Sequence, residues 1–440
     1  MAEPQDDRFR LEPDQALIVA ERFGTPAYVV GEAHFRTRIR RYRAAFQAAY
    51  ADSELTFASK ANSTLALIAI AHQQGCLIDT ASEGEFRAAL AAGVPASRCH
   101  LHGNNKSVEE LAFAMGQGIG QIVVDHFDEI DAIVALSDRR ACPELVLRLA
   151  PGVDPVTHAK ISTGQADTKF GFNIADGSAE EATKRCLQKG LPLAGFHCHV
   201  GSQLLDPEAQ ISGGQLVAEF AARMARDHGF QSSILNVGGG LGIRYTDRDV
   251  PMSVEDYCAE LVAAIQEALR GSGLKPRLVQ EPGRSLIGES GVTLYRVGVR
   301  KTVPAKGGSR TYLSVDGGLS DNPRPALYGA KYPVERVSPV SGGPEAVFTV
   351  SGKHCETDRL FEDVSLPEGT GRGDLLQVLC TGAYNSSMAS NYNRYPRPTT
   401  VLLSESGEFE VVQRPETWDE MFARESIPGR LRREAVGAGN

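Results

Sequence analysis

Short apolar runs bounded by glycine or polar residues recur along the first two thirds of the chain, at 55–58, 76–79, 99–103, 121–125, 145–149, 193–199, 234–237 and 278–281. Between the first five lie segments with helical spacing of apolar positions, such as 83–92, 108–115 and 127–136. Short apolar runs alternating with amphipathic segments predict parallel strands joined by right-handed helical crossovers. Eight such units over about 230 residues match a (β/α)8 barrel of the TIM type. An open doubly wound sheet is the alternative. The rhythm stretches between the fifth and sixth runs, where 151–172 carries Asp154, His158, Lys160, Thr163 and Lys169 among several glycines. That predicts a long loop on the catalytic rim.

Beyond Gly283 the pattern changes to runs rich in Val, Thr and Tyr, at 291–303, 311–315, 346–350, 375–378 and 399–403. They predict antiparallel strands of a second, β-rich domain, a barrel or sandwich. The strand-like stretch 27–30 precedes the first barrel helix. Residues 1–32 are therefore expected to join the β-rich sheet, with the barrel at 33–286 and the β-rich domain at 287–440.

Composition narrows the function classes. The 440 residues carry a formal charge of −9, with 42% hydrophobic and 23% charged positions, which describes a folded chain and not one built to neutralise nucleic-acid phosphates. Small-molecule chemistry is the expectation. Eight cysteines, at 76, 99, 142, 186, 198, 258, 355 and 380, show no CxxC pairing, so neither a disulfide scaffold nor a zinc site is indicated. Residues 1–10 are polar and acidic without the basic and apolar parts of a signal peptide, and the apolar stretch 64–71 is too short to span a bilayer. A cytoplasmic protein without membrane or nucleic-acid partners is expected.

In a parallel barrel the chemistry sits at the C-terminal strand ends. The first run ends in Ser59-Lys60, the second in Asp79, and the fifth contains Arg148. The sixth ends in His197-Cys198-His199-Val200-Gly201-Ser202, the seventh in Gly238-Gly239-Gly240, and the eighth in Glu281-Pro282-Gly283-Arg284. Burial of the approach to Lys60 is expected to lower its pKa, which suits imine formation. Asn62 is placed to cap a helix starting at Ser63. The triple glycine fails the dinucleotide fingerprint because position 243 is Ile, but its amides can approach a single phosphate, with Ser202 and Arg284 adding a hydroxyl and a charge. His197 and His199 share a strand face; a metal site and a packed or stacking histidine are both open, no third ligand is marked by spacing, and no metal is assigned. Cys355 lies in a polar loop beside Glu356, where a titratable thiol can exchange protons.

Taken together, Phe57-Ala-Ser-Lys-Ala-Asn62, His102-Gly-Asn-Asn-Lys-Ser107, Ile161-Ser-Thr-Gly164, Lys169-Phe-Gly171, His197 to Gln203, the triple glycine, Glu281-Pro-Gly-Arg284, Arg324-Pro-Ala-Leu-Tyr328, His354-Cys-Glu356 and Gly382-Ala-Tyr384 carry a resemblance. In that order they resemble the fold-type III pyridoxal-phosphate-dependent decarboxylases, most closely the branch acting on diaminopimelate. The resemblance implies pyridoxal 5′-phosphate held by Lys60, with His199 stacked on its ring and Glu281 paired with its ring nitrogen. Ser202, Gly238, Gly239, Gly240 and Tyr384 would hold the phosphate, and Asp79, Gly283 and Arg284 complete the cofactor set. Arg284, Arg324, Tyr328, Glu356 and Tyr384 would bind an amino-acid substrate, and Cys355 would donate the proton that replaces CO2. The loop carrying Cys355 would enter the neighbouring subunit's barrel, making a head-to-tail homodimer with shared active sites.

Charge favours a substrate with a distal carboxylate, because Arg324 and Arg284 would clamp it bidentately while Glu356 meets the distal ammonium. The expectation is conversion of meso-2,6-diaminopimelate to L-lysine. Thr357-Asp358 and Asn385-Ser386 depart from many relatives near the substrate pocket. The alternatives are a relative acting on another amino acid such as ornithine or arginine, a racemase on the same barrel, and a binding protein that has lost the cofactor.

Overall fold

The computed structural model describes residues 7–137, 141–153, 168–338, 343–357 and 359–432. The loop residues Asp154, His158, Lys160 and Thr163, the motif 161–164, and Asp358 lie outside them.

Eight strands, Ser53–Ala58, Leu77–Thr80, Cys99–Leu101, Gln121–Val124, Glu144–Ala150, Leu193–Cys198, Ile234–Asn236 and Arg277–Gln280, pair in parallel with their neighbours. The ring closes where Leu278 pairs with Ser53. This is the barrel that the strand and helix rhythm predicts. Helices Leu65–Gln73, Glu83–Ala91, Val108–Gly116, Phe127–Ser137, Ser178–Gln188, Glu208–His228 and Val254–Ala268 follow seven of the strands. The eighth place is taken by Glu32–Ala49, which precedes the first strand and packs against Val254–Ala268. Its buried Phe35, Ile39, Tyr42 and Phe46 recur at helical spacing, forming one apolar stripe toward the strands. Serine caps start several of these helices, as where Ser107 accepts from Glu110 N and Glu110 reaches back to Ser107 N.

A second sheet orders Arg359–Pro367, Glu345–Ser351, Gly308–Val315, Gly291–Ala305, Ala27–Gly31, Thr399–Leu403 and Phe409–Gln413, with Leu375–Val378 and Val334–Arg336 added at its centre. It is mixed rather than purely antiparallel: Tyr312 pairs in parallel with Thr349, and Ala27 with Thr399. Leu294, Tyr295, Val297, Leu313, Phe348, Leu376 and Val401 build its separate core.

The two bodies meet at the end of the first barrel strand. Tyr384 N donates to Ala61 O at 2.7 Å, and Asn62 Nδ2 donates to Gly382 O at 3.0 Å. Gly382 is required there, since a Cβ would lie 2.0 Å from Ile287 O. Asn62 is not a helix cap. The helix begins at Leu65 with Thr64 before it, and Asn62 Oδ1 accepts from Thr64 N and Oγ1, leaving its amide to tie the barrel to the second sheet.

Candidate active site

A cavity opens at the C-terminal barrel mouth, and its lining brings together ten of the sequence-selected residues: Lys60, Asp79, His199, Ser202, Gly239, Gly240, Glu281, Gly283, Arg284 and Tyr384. Lys60 follows directly from the first strand, on a single 3-10 turn, Ser59–Ala61. Leu55, Phe57, Ala58 and Ser59 are buried, and Lys60 itself projects into the open space of the cavity. Its amine makes no hydrogen bond or ion pair with any described residue. The expected direction of its pKa is reversed. Burial works to lower it, but Asp79, Tyr384 and Glu281 outweigh that and raise it, so the free amine is held as an ammonium.

Glu281, 7% exposed, lines the same cavity from the end of the eighth strand, which pairs with the first. Its Oε1 accepts from His102 Nε2 at 3.0 Å and from Asn236 Nδ2 at 2.6 Å, and its Oε2 accepts from His197 Nε2 at 3.1 Å. Burial alone would raise this carboxyl, yet His102 and His197 hold it well below the usual carboxylate range. His197 is driven down to about 4 by burial, so it serves as a neutral N–H donor. A carboxylate has about four lone-pair sites, and three are taken by described residues, leaving one on Oε2. Asp79, 3.5 Å from His102 Nε2, is raised by its burial.

The two strand-face histidines divide their work. His197 belongs to Glu281, whereas His199 Nδ1 lies 3.1 Å from Gly239 O, an acceptor that fixes the proton on Nδ1. Burial, then Lys60 and Arg148, push His199 well below its ordinary pKa, so its ring is a neutral plate on the cavity wall. Donor atoms of His102, His197 and Glu281 lie within 4.8 Å of one another, a spacing suited to a metal, but the hydrogen bonds already account for it.

Next to Glu281, the ends of the sixth, seventh and eighth strands bring Ser202, the glycines and Arg284 together. Gly239 needs to be glycine because a Cβ would come within 2.3 Å of Glu281 O. Gly238 O accepts from Glu281 N at 2.8 Å, joining the seventh and eighth strand ends. Arg284 donates to Ser202 Oγ at 3.1 Å and to Tyr245 Oη at 2.6 Å, with its guanidinium 4.8 Å from the Tyr384 ring centre. Arg324, 6% exposed, sits 5.5 Å from the same ring and 5.1 Å from that of Tyr328, and its Nε has no hydrogen-bond partner.

Cys355 and Glu356 are not brought to this cavity. Both are exposed on the second sheet's side, where Cys355 N donates to Asn393 Oδ1 at 2.9 Å and the Tyr392 hydroxyl donates to Glu356. Sequence reasoning gave no role to His102 or Asn236 and left Arg148, which lines the cavity and stacks 4.2 Å from Phe170, outside the site. His102 follows Leu101, and Asn236 ends the seventh strand, so the strand-end rule applied at every strand would have found both.

Residues 33–288 match the family model described as the pyridoxal binding domain of pyridoxal-dependent decarboxylases. The diaminopimelate decarboxylase of Bacillus subtilis is 43% identical over 410 residues, covering 92% of each chain. The chain belongs to the diaminopimelate decarboxylase family. Among solved structures, the M. jannaschii diaminopimelate decarboxylase in complex with L-lysine aligns with a TM-score of 0.89 at 31% identity, covering 97% of this chain and 98% of that one. The Helicobacter pylori enzyme complexed with L-lysine aligns at 0.83 and 29% identity, covering 92% and 98%.

Proposed function

We propose that this chain converts meso-2,6-diaminopimelate to L-lysine and CO2, the last step of lysine biosynthesis through diaminopimelate, using pyridoxal 5′-phosphate held at Lys60. The observation that carries the reading is that an unbonded Lys60 amine and an ionised Glu281 line one cavity. The residues fit the cofactor. Lys60 Nζ is the attachment point, Ser202, Arg284 and the amides of Gly239 and Gly240 suit its phosphate, and the open lone pair of Glu281 Oε2 suits a ring N–H.

When bound, the cofactor supplies an electron sink for the pair left by departing CO2. Glu281 would hold the proton on the ring nitrogen, and His102, His197 and Asn236 keep it ionised and oriented. His199 would flank the ring as a neutral plate. Tyr384, locked at φ +60 by its bond to Ala61 O, would close the phosphate side. Arg324, buried with an unpartnered Nε, suits the carboxylate at the substrate's far end, which ornithine and lysine lack.

Cys355 would deliver a proton to the carbon that lost CO2, and Glu356 would meet the distal ammonium. Their exposure away from this chain's own cavity supports a head-to-tail homodimer in which each subunit's loop completes the other's site. No helix of the described residues is long and apolar enough to cross a membrane. Purified protein supplied with the cofactor and a panel of amino acids tests the reading. Lysine and CO2 should form from meso-diaminopimelate; faster turnover of ornithine or arginine would overturn the substrate assignment.

A further inference from the structure

Beneath Glu281, at the opposite end of the barrel, lies a second cavity of about 160 Å³, walled by Glu54, Arg98, His100, Gln121, Glu144 and Arg277 together with apolar neighbours. Its charged rim satisfies itself in part: Arg98 lies 2.9 Å and Arg277 3.6 Å from Glu54. The polar atoms left over are inside. His100 and Gln121 are 5% and 3% exposed, and His100 Nδ1 and Gln121 Oε1 have no hydrogen-bond partner. Thr56 Oγ1, also buried and unpartnered, lies on the same face of the first strand as Glu54 of the lower cavity and Ala58 of the upper one, so it faces the same interior. Buried polar atoms around a space of this size call for ordered water, which takes about 30 Å³ per molecule in the liquid.

His100 links the two cavities, since it lines the lower one while its Nδ1 stands 3.9 Å from Glu281 Oε1. That gap is too long for a direct hydrogen bond, and a single water can bridge it. We propose that the lower cavity is hydrated and that His100 is a positioning residue, holding Glu281 through a water shared between His100 Nδ1 and Glu281 Oε1. The water would share Oε1 with His102 and Asn236, whose hydrogen bonds already take its two lone-pair sites, and so steady the carboxylate from below with the open site of Oε2 left toward the upper cavity. The inference rests on the functional reading, in which Glu281 meets the cofactor's ring nitrogen. Charged and titratable groups facing Glu281 are Lys60, Asp79, His102, Arg148, His197 and His199; those around His100 at the lower mouth are Glu54, Arg98, Glu144 and Arg277.

Equilibrium binding of pyridoxal 5′-phosphate, and of its 1-deaza analogue with C–H at the ring nitrogen, separates positioning from bulk stability. His100→Leu should lose about tenfold affinity for the cofactor, the order of one charge-assisted hydrogen bond, and little for the analogue. His100→Gln, which keeps a donor, should restore most of the loss. Equal losses for both ligands, or no loss for either, would overturn the role of His100. Should His100→Leu fail to fold, a high-resolution crystal structure of the unaltered protein decides: a water within hydrogen-bonding reach of both atoms supports the inference, and a dry gap refutes it. Wild-type protein that binds the two ligands equally well would instead refute the pairing of Glu281 with the ring, a separate failure.

Discussion

Glu281 in the barrel and Asp321 in the β-rich sheet are both buried carboxylates, 7% and 2% exposed, yet their surroundings drive them in opposite directions. Asp321 accepts from Gly318 N at 2.7 Å and from the Tyr295 hydroxyl, but burial dominates and its pKa is pushed up to about 7. Glu281 suffers the same desolvation, and the surrounding histidines reverse it. Burial alone therefore does not mark a chemical site; burial overruled by purpose-placed donors does. The contrast extends to the two regions as wholes. The barrel mouth gathers Lys60, Glu281, Ser202 and Arg284 around one cavity, whereas the second sheet exposes Cys355 and Glu356 away from it.

The largest effect is expected at the barrel. Lys60→Ala should abolish covalent cofactor attachment and reduce turnover by about a thousandfold or more, read by absorbance and lysine formation. Under the proposed proton-donor role, Cys355→Ala should lower kcat by roughly 10²–10⁴ while leaving cofactor binding intact. Mixing the two inactive variants sharpens the regional contrast. If each site draws on both subunits, random exchange restores about a quarter of wild-type activity, because half the dimers carry one complete site; no recovery would confine each site to one chain.

Glu281→Gln keeps the shape and removes the charge, so kcat should fall about 10²–10³-fold with a smaller change in KM, measured by steady-state kinetics. The smallest effect belongs to Asp321. Its folded pKa of about 7 exceeds the usual 3.8, so the folded state binds more protons between those values and loses stability as pH rises through them. At most about 3–4 kcal/mol should disappear between pH 4 and 7. Asp321→Asn should flatten that dependence in denaturant titrations.

Much of this arrangement is legible in the chain. Alternating apolar runs give the barrel, because parallel strands covered on both faces need continuous hydrophobic segments. The strand-end rule then finds Lys60, Asp79, Glu281 and the glycines. What sequence hides is partnership across strands. Nothing local to Lys60 announces the acids that raise its pKa, and nothing near Glu281 says that residues 102, 197 and 236 converge on it. Strands Arg359–Pro367 and Phe409–Gln413 escape notice because they lie at the sheet's two edges, where exposed polar residues break the apolar pattern. Pairing direction is likewise not a local property, hence the parallel contacts in a sheet expected to be antiparallel.

The central claim concerns one amine. Protein saturated with pyridoxal 5′-phosphate, reduced with borohydride and digested should carry its label on the peptide containing Lys60, and the visible absorbance should vanish on reduction. A label mapped to another lysine, or no stable label at all, would contradict the account.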